Sequence, residues 1–295
     1  MVSPTKILPR VTACIPTYNS AEFIRATLEA LKEQDYPNLD ALISDDASSD
    51  YTAQICNTFT DASGRFRLIR QPRRLGWVEN VNALLALAEG DYIFILPHDD
   101  IVYPSYVSSL VRALESYPDA ILAYSDTRIS FWDNGRPEKE PVTAAYNGLD
   151  GVEDKLDRAR RAASYQLDLT NQCWPDVLTI AFRGVFRRDA YKKTGGLHKN
   201  IAGEFGADWA WLFHLALLGE WVRVPETLVE KRRFPDSLSR SWNYSNFQRF
   251  GEWTGCVLAV RRADMSWYEE IKVYSYLAGT ALRALLRIFT IRFLR

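Results

Sequence analysis

Short apolar runs alternate with helix-spaced stretches over the first 125 residues, and each run ends on a polar cluster. Val11–Pro16 reads as a buried strand stopping at Thr17-Tyr18-Asn19-Ser20, and Ala21–Lys32 then spaces Phe23, Ile24, Leu28 and Leu31 along one helical face. Leu39–Ser44 predicts a second strand closed by Asp45-Asp46-Ala47-Ser48-Ser49-Asp50, followed by a helix through Ile55 and Phe59. Phe66–Ile69 reads as a third strand and Val78–Ala88 as a third helix stopped by Gly90. Tyr92–Leu96 is a strongly apolar fourth strand ending at Pro97-His98-Asp99-Asp100. Val102–Glu115 looks helical after its first turn, and Ala120–Tyr124 is a fifth strand.

Strands alternating with helices predict an α/β fold, a mostly parallel, doubly wound sheet with helices on both faces. Ligands of such sheets bind beyond the carboxyl ends of the strands. Thr17–Asn19, Asp45–Asp46 and Asp99–Asp100 all fall at that edge. The second half is less regular. Asp133-Asn134-Gly135 is a hairpin turn signal, and residues 136–165 read as a long polar loop with one helix. Leu178–Phe186 is strand-like, Gly195-Gly196 marks a turn, Ala207–Leu218 is a Trp-rich helix, Trp221–Val224 is a short strand, and the chain beyond about 240 looks wholly helical.

Composition narrows this picture only modestly. With 295 residues, 47% hydrophobic and 25% charged, the chain suits one large domain with an appendage or two small ones. Thirty-six basic and 37 acidic side chains leave a net charge of -1, so no electrostatic pull towards nucleic acid follows. The 13% aromatic content fits a bulky core and also a surface that stacks on bases and sugars. Cys14, Cys56, Cys173 and Cys256 form no C-x-x-C pair, which argues against zinc and for reduced thiols of a cytoplasmic protein. The start MVSPTKILPR lacks the apolar run of a signal peptide. No stretch reaches the roughly 18 apolar residues of a membrane-spanning helix.

Asp99 and Asp100, directly after a strand, suit a divalent cation held against a diphosphate, because Mg2+ and Mn2+ take oxygen ligands and neutralise a leaving phosphate. A helix cap or turn would use the same residues. One carboxylate of Asp45-Asp46 is placed to accept a base N–H, while Ser49 or Asp50 caps the next helix. The Tyr18 ring is a candidate platform for a nucleobase. His98, His198 and His214 are expected to carry no ligand role, and Arg158, Arg160 and Arg161 to lie on a solvated helical face.

Five stretches carry a resemblance: Ile15-Pro16-Thr17-Tyr18-Asn19, Ser44 through Asp50, Gly76-Trp77-Val78-Glu79-Asn80-Val81-Asn82, Glu89-Gly90-Asp91-Tyr92 and His98-Asp99-Asp100. In that order and spacing they resemble the donor-binding half of glycosyltransferase family 2. Gly195-Gly196-Leu197, Ala207 through Leu212 and Arg232 through Ser239 resemble its acceptor half.

The resemblance implies a GT-A domain over residues 1–230 (donor half to about 125, acceptor half from 126) and a C-terminal helical extension over 231–295. It implies a sugar moved from a UDP- or dTDP-type donor to an acceptor hydroxyl, with inversion and with Mg2+ or Mn2+. Pro16, Thr17, Tyr18, Asp45, Asp46, Asn82, Asp99 and Arg232 would bind nucleotide, Asp99 and Asp100 metal, and Asp208 would be the general base. The acceptor would be a glycan or lipid-linked glycan, with no nucleic-acid partner.

Two positions depart from the family pattern. Pro97 stands where D-x-D-D has its first carboxylate, and Ala207 replaces the Glu of a common Glu-Asp pair. A non-catalytic nucleotide-sugar-binding protein is therefore one alternative and a nucleotidyltransferase another, although Ile15 through Asn19 is not the Gly-rich basic loop the latter uses. No G-x-G-x-x-G follows the first strand, which excludes a dehydrogenase reading. Residues 276–295 are apolar and carry Arg283, Arg287, Arg292 and Arg295 without an acid. They read as a packed helix, a homodimer contact, or a peripheral anchor on the inner membrane face.

Overall fold

Strands β1 (Val11–Thr17), β2 (Leu39–Asp45), β3 (Phe66–Arg70) and β4 (Tyr92–Ile95) pair in parallel in the order β3-β2-β1-β4. The computed structural model describes residues 8–60, 62–133, 136–164, 178–235 and 245–293, with 284–293 as helix backbone. Strand side chains alternate between faces, and here both faces are apolar. Ala13, Ile15, Ala41, Ile43, Tyr92 and Phe94 enter one core, and Cys14, Leu42, Ile93 and Ile95 the other.

Helices cover both faces. On α1 (Ile24–Lys32), Ile24, Thr27, Leu28 and Leu31 form the buried stripe. On α4 (Tyr106–Ser116), Tyr106, Val107, Leu110, Val111 and Leu114 do the same, and Tyr106 meets Phe94 edge-on at 5.2 Å. Each such fully buried side chain contributes about 1.5–3 kcal/mol. Short α2 (Thr52–Asn57) joins the first core through Cys56, and α3 (Trp77–Leu87) joins the second through Val81 and Leu84.

The sheet continues beyond β4 with mixed polarity. β5 is Ile101–Val102, β6 Ala120–Asp133, β7 Arg136–Ala144, β8 Val185–Arg187 and β9 Glu220–Arg233. The order is β3-β2-β1-β4-β8-β6-β9-β5, with β7 on β6; β8 lies antiparallel between β4 and β6, and β9 runs parallel to β6.

Several sequence expectations change here. The fifth strand is 14 residues long rather than five, and so is the strand expected at 221–224. Each holds the other by a long parallel ladder that no single-strand pattern encodes. The loop expected at 136–165 contains β7 as well as its one expected helix, α5 (Lys155–Ser164). Leu178–Phe186 is a 3-10 helix, Leu178–Arg183, followed by β8. Arg158 is buried, not solvated, because its guanidinium donates to the carbonyls of Val152, Glu153 and Ala216. Arg160 and Arg161 do stay at the surface on Asp157.

After β8 come α6 (Arg188–Thr194) and α7 (Ala207–Leu218), the latter buried on nearly every side. The boundary expected at 230/231 falls inside β9, so the sheet runs past it. Helices α8 (Asn246–Arg262) and α9 (Trp267–Phe293) follow, α8 opened by a Ser245–Gln248 capping box. Trp253 Nε1 on α8 donates to the Leu277 carbonyl on α9 at 3.1 Å. Cys14 and Cys56 are buried free thiols, Cys256 is buried, and Cys173 lies outside the described residues. Among the described residues no helix is long and apolar enough to cross a membrane.

Candidate active site

The loops after β1, β2 and β4 meet at the carboxyl edge of the parallel strands. Parallel register sets Thr17 beside Asp45, and Asp46 N–H donates to the Thr17 carbonyl at 2.9 Å. Asn19 N–H donates to Ser48 Oγ at 2.9 Å, and Ser49 N–H returns to Asn19 Oδ1 at 3.0 Å. Asp50 accepts from Thr52 N–H and Ala21 N–H and so ties the start of α2 to the first loop, while Tyr51 rather than the expected Ser49 or Asp50 holds the cap position. Asn19 (φ 44) and Ala47 (φ 57) both hold the left-handed conformation. Such strain in a non-glycine residue persists where surrounding contacts over-determine it, as they do here.

The two central carboxylates have different surroundings. Asp46 Oδ1 and Oδ2 accept from Leu75 and Gly76 N–H at 2.6 and 3.0 Å. Asp45 is 0% exposed and among the described residues neither of its carboxylate oxygens has a hydrogen-bond partner; Arg70 Nε stands 3.9 Å away. A buried carboxylate without donors is costly unless a ligand completes it. Tyr18 is half-buried, and the Arg74 guanidinium covers its ring at 3.8 Å from the centroid. Sequence reasoning missed Arg74; the signal was the tandem Arg73-Arg74 just past the third strand.

At the third loop His98 Nδ1 lies 3.3 Å from the Pro16 carbonyl, and Thr27 Oγ1 donates to the His98 carbonyl at 2.8 Å. His98 thus fastens the Asp99-Asp100 turn against β1, a structural part it was not expected to have. Asp99 is half-buried, and Arg232, 133 residues later on β9, donates through Nε to its backbone carbonyl at 2.6 Å. Burial works against the Arg232 charge, and the carboxylates of Asp99, Asp100 and Glu230 sustain it. Asp100 is 0% exposed and bound by Arg183 Nε, and among the described residues its Oδ1 has no hydrogen-bond partner. Burial raises its pKa while Arg183 pulls the other way. Arg183 carries no sequence signal, because the pair spans 83 residues.

The start of α7 reaches this edge through one side chain. Glu204 accepts from Trp77 and Val78 N–H at 3.3 and 3.2 Å, filling the open N-terminus of α3 just beyond the two amides held by Asp46. Gly76 (φ 93) leaves no room for a side chain there, since a Cβ would stand 2.7 Å from Glu204 Oε1. Four residues on, Asp208 sits half-buried in the first turn of α7, where the helix dipole favours a carboxylate. Trp209 and Trp211 beside it are buried.

Asn82 exchanges both ends of its amide with the Leu197 backbone, at 2.8 and 2.9 Å, and so fastens α3 to the turn after α6. That contact explains Gly196 (φ 89), where a Cβ would meet Asn82 Oδ1 at 2.4 Å. His214 is buried and neutral, its pKa lowered to about 4 by desolvation and by His198 and Arg262. Asp236 through Ser239 of the last resembling stretch lie outside the described residues.

Among the described residues no group of three or more His, Cys, Asp or Glu side chains could hold a metal alone. Asp99 and the unpartnered Asp100 oxygen nonetheless fit Mg2+ or Mn2+, which bind through one or two carboxylates plus substrate phosphates and water.

A mixed sheet whose parallel edge gathers a buried aspartate without hydrogen-bond donors among the described residues, an aspartate pair after a strand and a late arginine is the arrangement of a GT-A glycosyltransferase. The Glycosyl transferase family 2 model matches residues 12–195, and the chain belongs to that family. S. aureus TarS, solved with UDP-GlcNAc, superposes with a TM-score of 0.64 over 92% of this chain and 71% of that one, at 15% identity. The Pyrobaculum calidifontis mannosyltransferase PcManGT, solved with GDP-Man and Mn2+, gives 0.55 over 98% and 82%, at 17% identity. Both likenesses establish the fold. By sequence the chain is 28% identical to the Streptococcus pneumoniae glycosyltransferase GlyG over 36% of this chain and 35% of that protein. It is 27% identical to Bacillus subtilis EpsH, a putative glycosyltransferase by name, over 47% and 39%. The match spans between a third and two-fifths of these relatives.

Proposed function

We propose that this chain is a hexosyltransferase of polysaccharide biosynthesis. It moves a sugar, with inversion, from a UDP- or dTDP-sugar to a hydroxyl of a glycan or lipid-linked glycan, using Mg2+ or Mn2+. The supporting observation is that the loops carrying Tyr18, Asp45 and Asp99, the strand carrying Arg232, and Glu204 just before α7 come from five separate stretches and are tied to one sheet edge by named hydrogen bonds. TarS, a structural neighbour, was solved with UDP-GlcNAc and PcManGT with Mn2+, which supports the donor class and the cofactor.

In this reading Pro16, Thr17 and Tyr18 line the base. Asp45 takes the N3–H that uridine and thymidine share, and Asp46 braces the loop opposite. Arg74 leaves the Tyr18 face to admit the base. Arg232 and Asp99 flank the diphosphate, Asp100 backs Asp99, and Asn82 holds the acceptor-side turn in register. Asp208 removes the proton of the acceptor hydroxyl as the bond to the donor sugar forms. Asp99, with Asp100 beside it, would hold the cation, which would supply neutralisation of the departing diphosphate. The buried free thiols of Cys14 and Cys56 support a cytoplasmic site of action.

Thermal shift against UDP-, dTDP- and GDP-sugars with Mn2+ tests the donor. UDP- and dTDP-sugars should stabilise the protein and Asp45→Ala should weaken UDP binding roughly tenfold or more, the worth of one hydrogen bond to a charged acceptor. Preference for a GDP-sugar would overturn the assignment of Asp45. For the metal, Asp99→Ala should abolish nucleotide release from the donor while the melting curve stays cooperative, and full activity in excess EDTA would sink metal dependence. Donor binding without sugar transfer to any acceptor would favour the non-catalytic reading.

A further inference from the structure

Helix α9 is 27 residues long, and its two sides differ. Val273, Leu277 and Thr280 are buried against the body, and Trp253 on α8 is bonded to the Leu277 carbonyl. At its start Glu269 meets Lys155 of α5 at 3.0 Å, so α9 is docked in a defined rotation. The opposite side carries Trp267, Tyr268, Ile271 and Leu282, which are 75%, 52%, 57% and 57% exposed. Ser275 and Ala278 between them are also exposed.

At about 100° per residue, counted from Trp267, these six positions fall within an arc of about 100°, roughly opposite Val273, Leu277 and Thr280. In sequence the same arc continues through positions 285, 286, 289 and 293, which are Leu, Leu, Phe and Phe. Lys272 and Arg283 lie about 40–60° beyond one border of the arc and Arg292 about 20° beyond the other. From 271 to 295 the cations are Lys272, Arg283, Arg287, Arg292 and Arg295, and there is no Asp or Glu.

The geometry points to an anionic lipid surface as the partner of this face, with α9 lying along the bilayer. An interfacial helix buries an apolar stripe to the depth of the headgroup boundary and sends basic side chains from its borders to the lipid charges. Trp267 and Tyr268 are the residue types that settle at that level. Charge decides between a membrane and a second copy of the chain. Two such faces packed together would bring the same cationic borders close, with no carboxylate between 271 and 295 to answer them. An anionic bilayer attracts every one of them. The arginines also make a spanning orientation costly.

The test uses the full chain and Ile271→Asp/Leu282→Asp, both changes at exposed positions remote from the sheet edge. Co-sedimentation is measured with vesicles of equal phosphatidylglycerol and phosphatidylcholine, and with phosphatidylcholine alone, at low and high salt. The wild-type chain should sediment with the anionic vesicles, be released by salt, and ignore the zwitterionic ones. The double variant should partition roughly tenfold less or weaker still, the cost of placing two charges where two apolar side chains were buried. Its unchanged melting temperature and UDP affinity would show the fold intact. Equal sedimentation of the two proteins, or none by either, overturns the inference. A wild-type dimer in analytical ultracentrifugation that the double variant loses, without vesicle binding, assigns the face to a second copy instead.

Discussion

Asp208→Asn is expected to bind the nucleotide donor as the wild type does and to transfer sugar at least roughly a hundred times more slowly, the lower range for loss of a general base. Asn keeps the size and shape of Asp but replaces one carboxylate oxygen with an amide nitrogen, which removes the charge and the basicity. The substitution should therefore leave α7 in place, apart from a few tenths of a kcal/mol for the charge at its first turn. Single-turnover kinetics with a soluble acceptor, beside UDP titration, separates the two effects. Transfer within a few-fold of wild type would make Asp208 structural. Glu204, the obvious substitute four residues earlier, already accepts from Trp77 and Val78 amides and holds the start of α3, so it is poorly placed to act as a base. The base would then have to come from the acceptor loops.

Arg183→Met should cost about 3–5 kcal/mol of folding stability, the usual price of leaving one member of a buried ion pair alone. Asp100 is fully buried, and Arg183 is the only hydrogen-bond partner of its carboxylate among the described residues. The pH dependence has a definite sign. Burial raises the folded pKa of Asp100 above the unfolded value and Arg183 opposes that, so removing Arg183 raises it further. A carboxyl with a raised folded pKa costs stability only once the unfolded chain can ionise. The deficit of Arg183→Met should thus be complete near neutral pH and shrink as pH falls towards about 4. Urea melts of both proteins across that range measure it. A deficit under about 1 kcal/mol at pH 7, or one that grows as pH falls, would show that Asp100 is stabilised by something other than Arg183.

The residues nearest one another in sequence were the legible ones. Apolar runs at Val11–Thr17, Leu39–Asp45 and Tyr92–Ile95 had to be strands buried on both faces, and a polar loop at each carboxyl end had to share an edge once the strands paired in parallel. The positions of Tyr18, Asp45, Asp46 and Asp99 at that edge are therefore legible in the sequence. Their division of labour is not. Asp45 and Asp46 are adjacent and identical in type, and only the fold of residues 75–76 back onto Asp46 leaves Asp45 as the carboxylate without donors. Asn82 lies in a recognisable motif, yet its amide meets Leu197, 115 residues away. The Arg183–Asp100 and Arg232–Asp99 contacts span 83 and 133 residues, and β6 and β9 become long strands by pairing with each other. The outward face of α9 belongs here too, since periodicity assigns residues to a side but the body alone determines which side it covers. Local patterns record the free energy of burying one strand or one helical stripe. Contacts between distant segments depend on how those elements dock, and that energy has no local imprint.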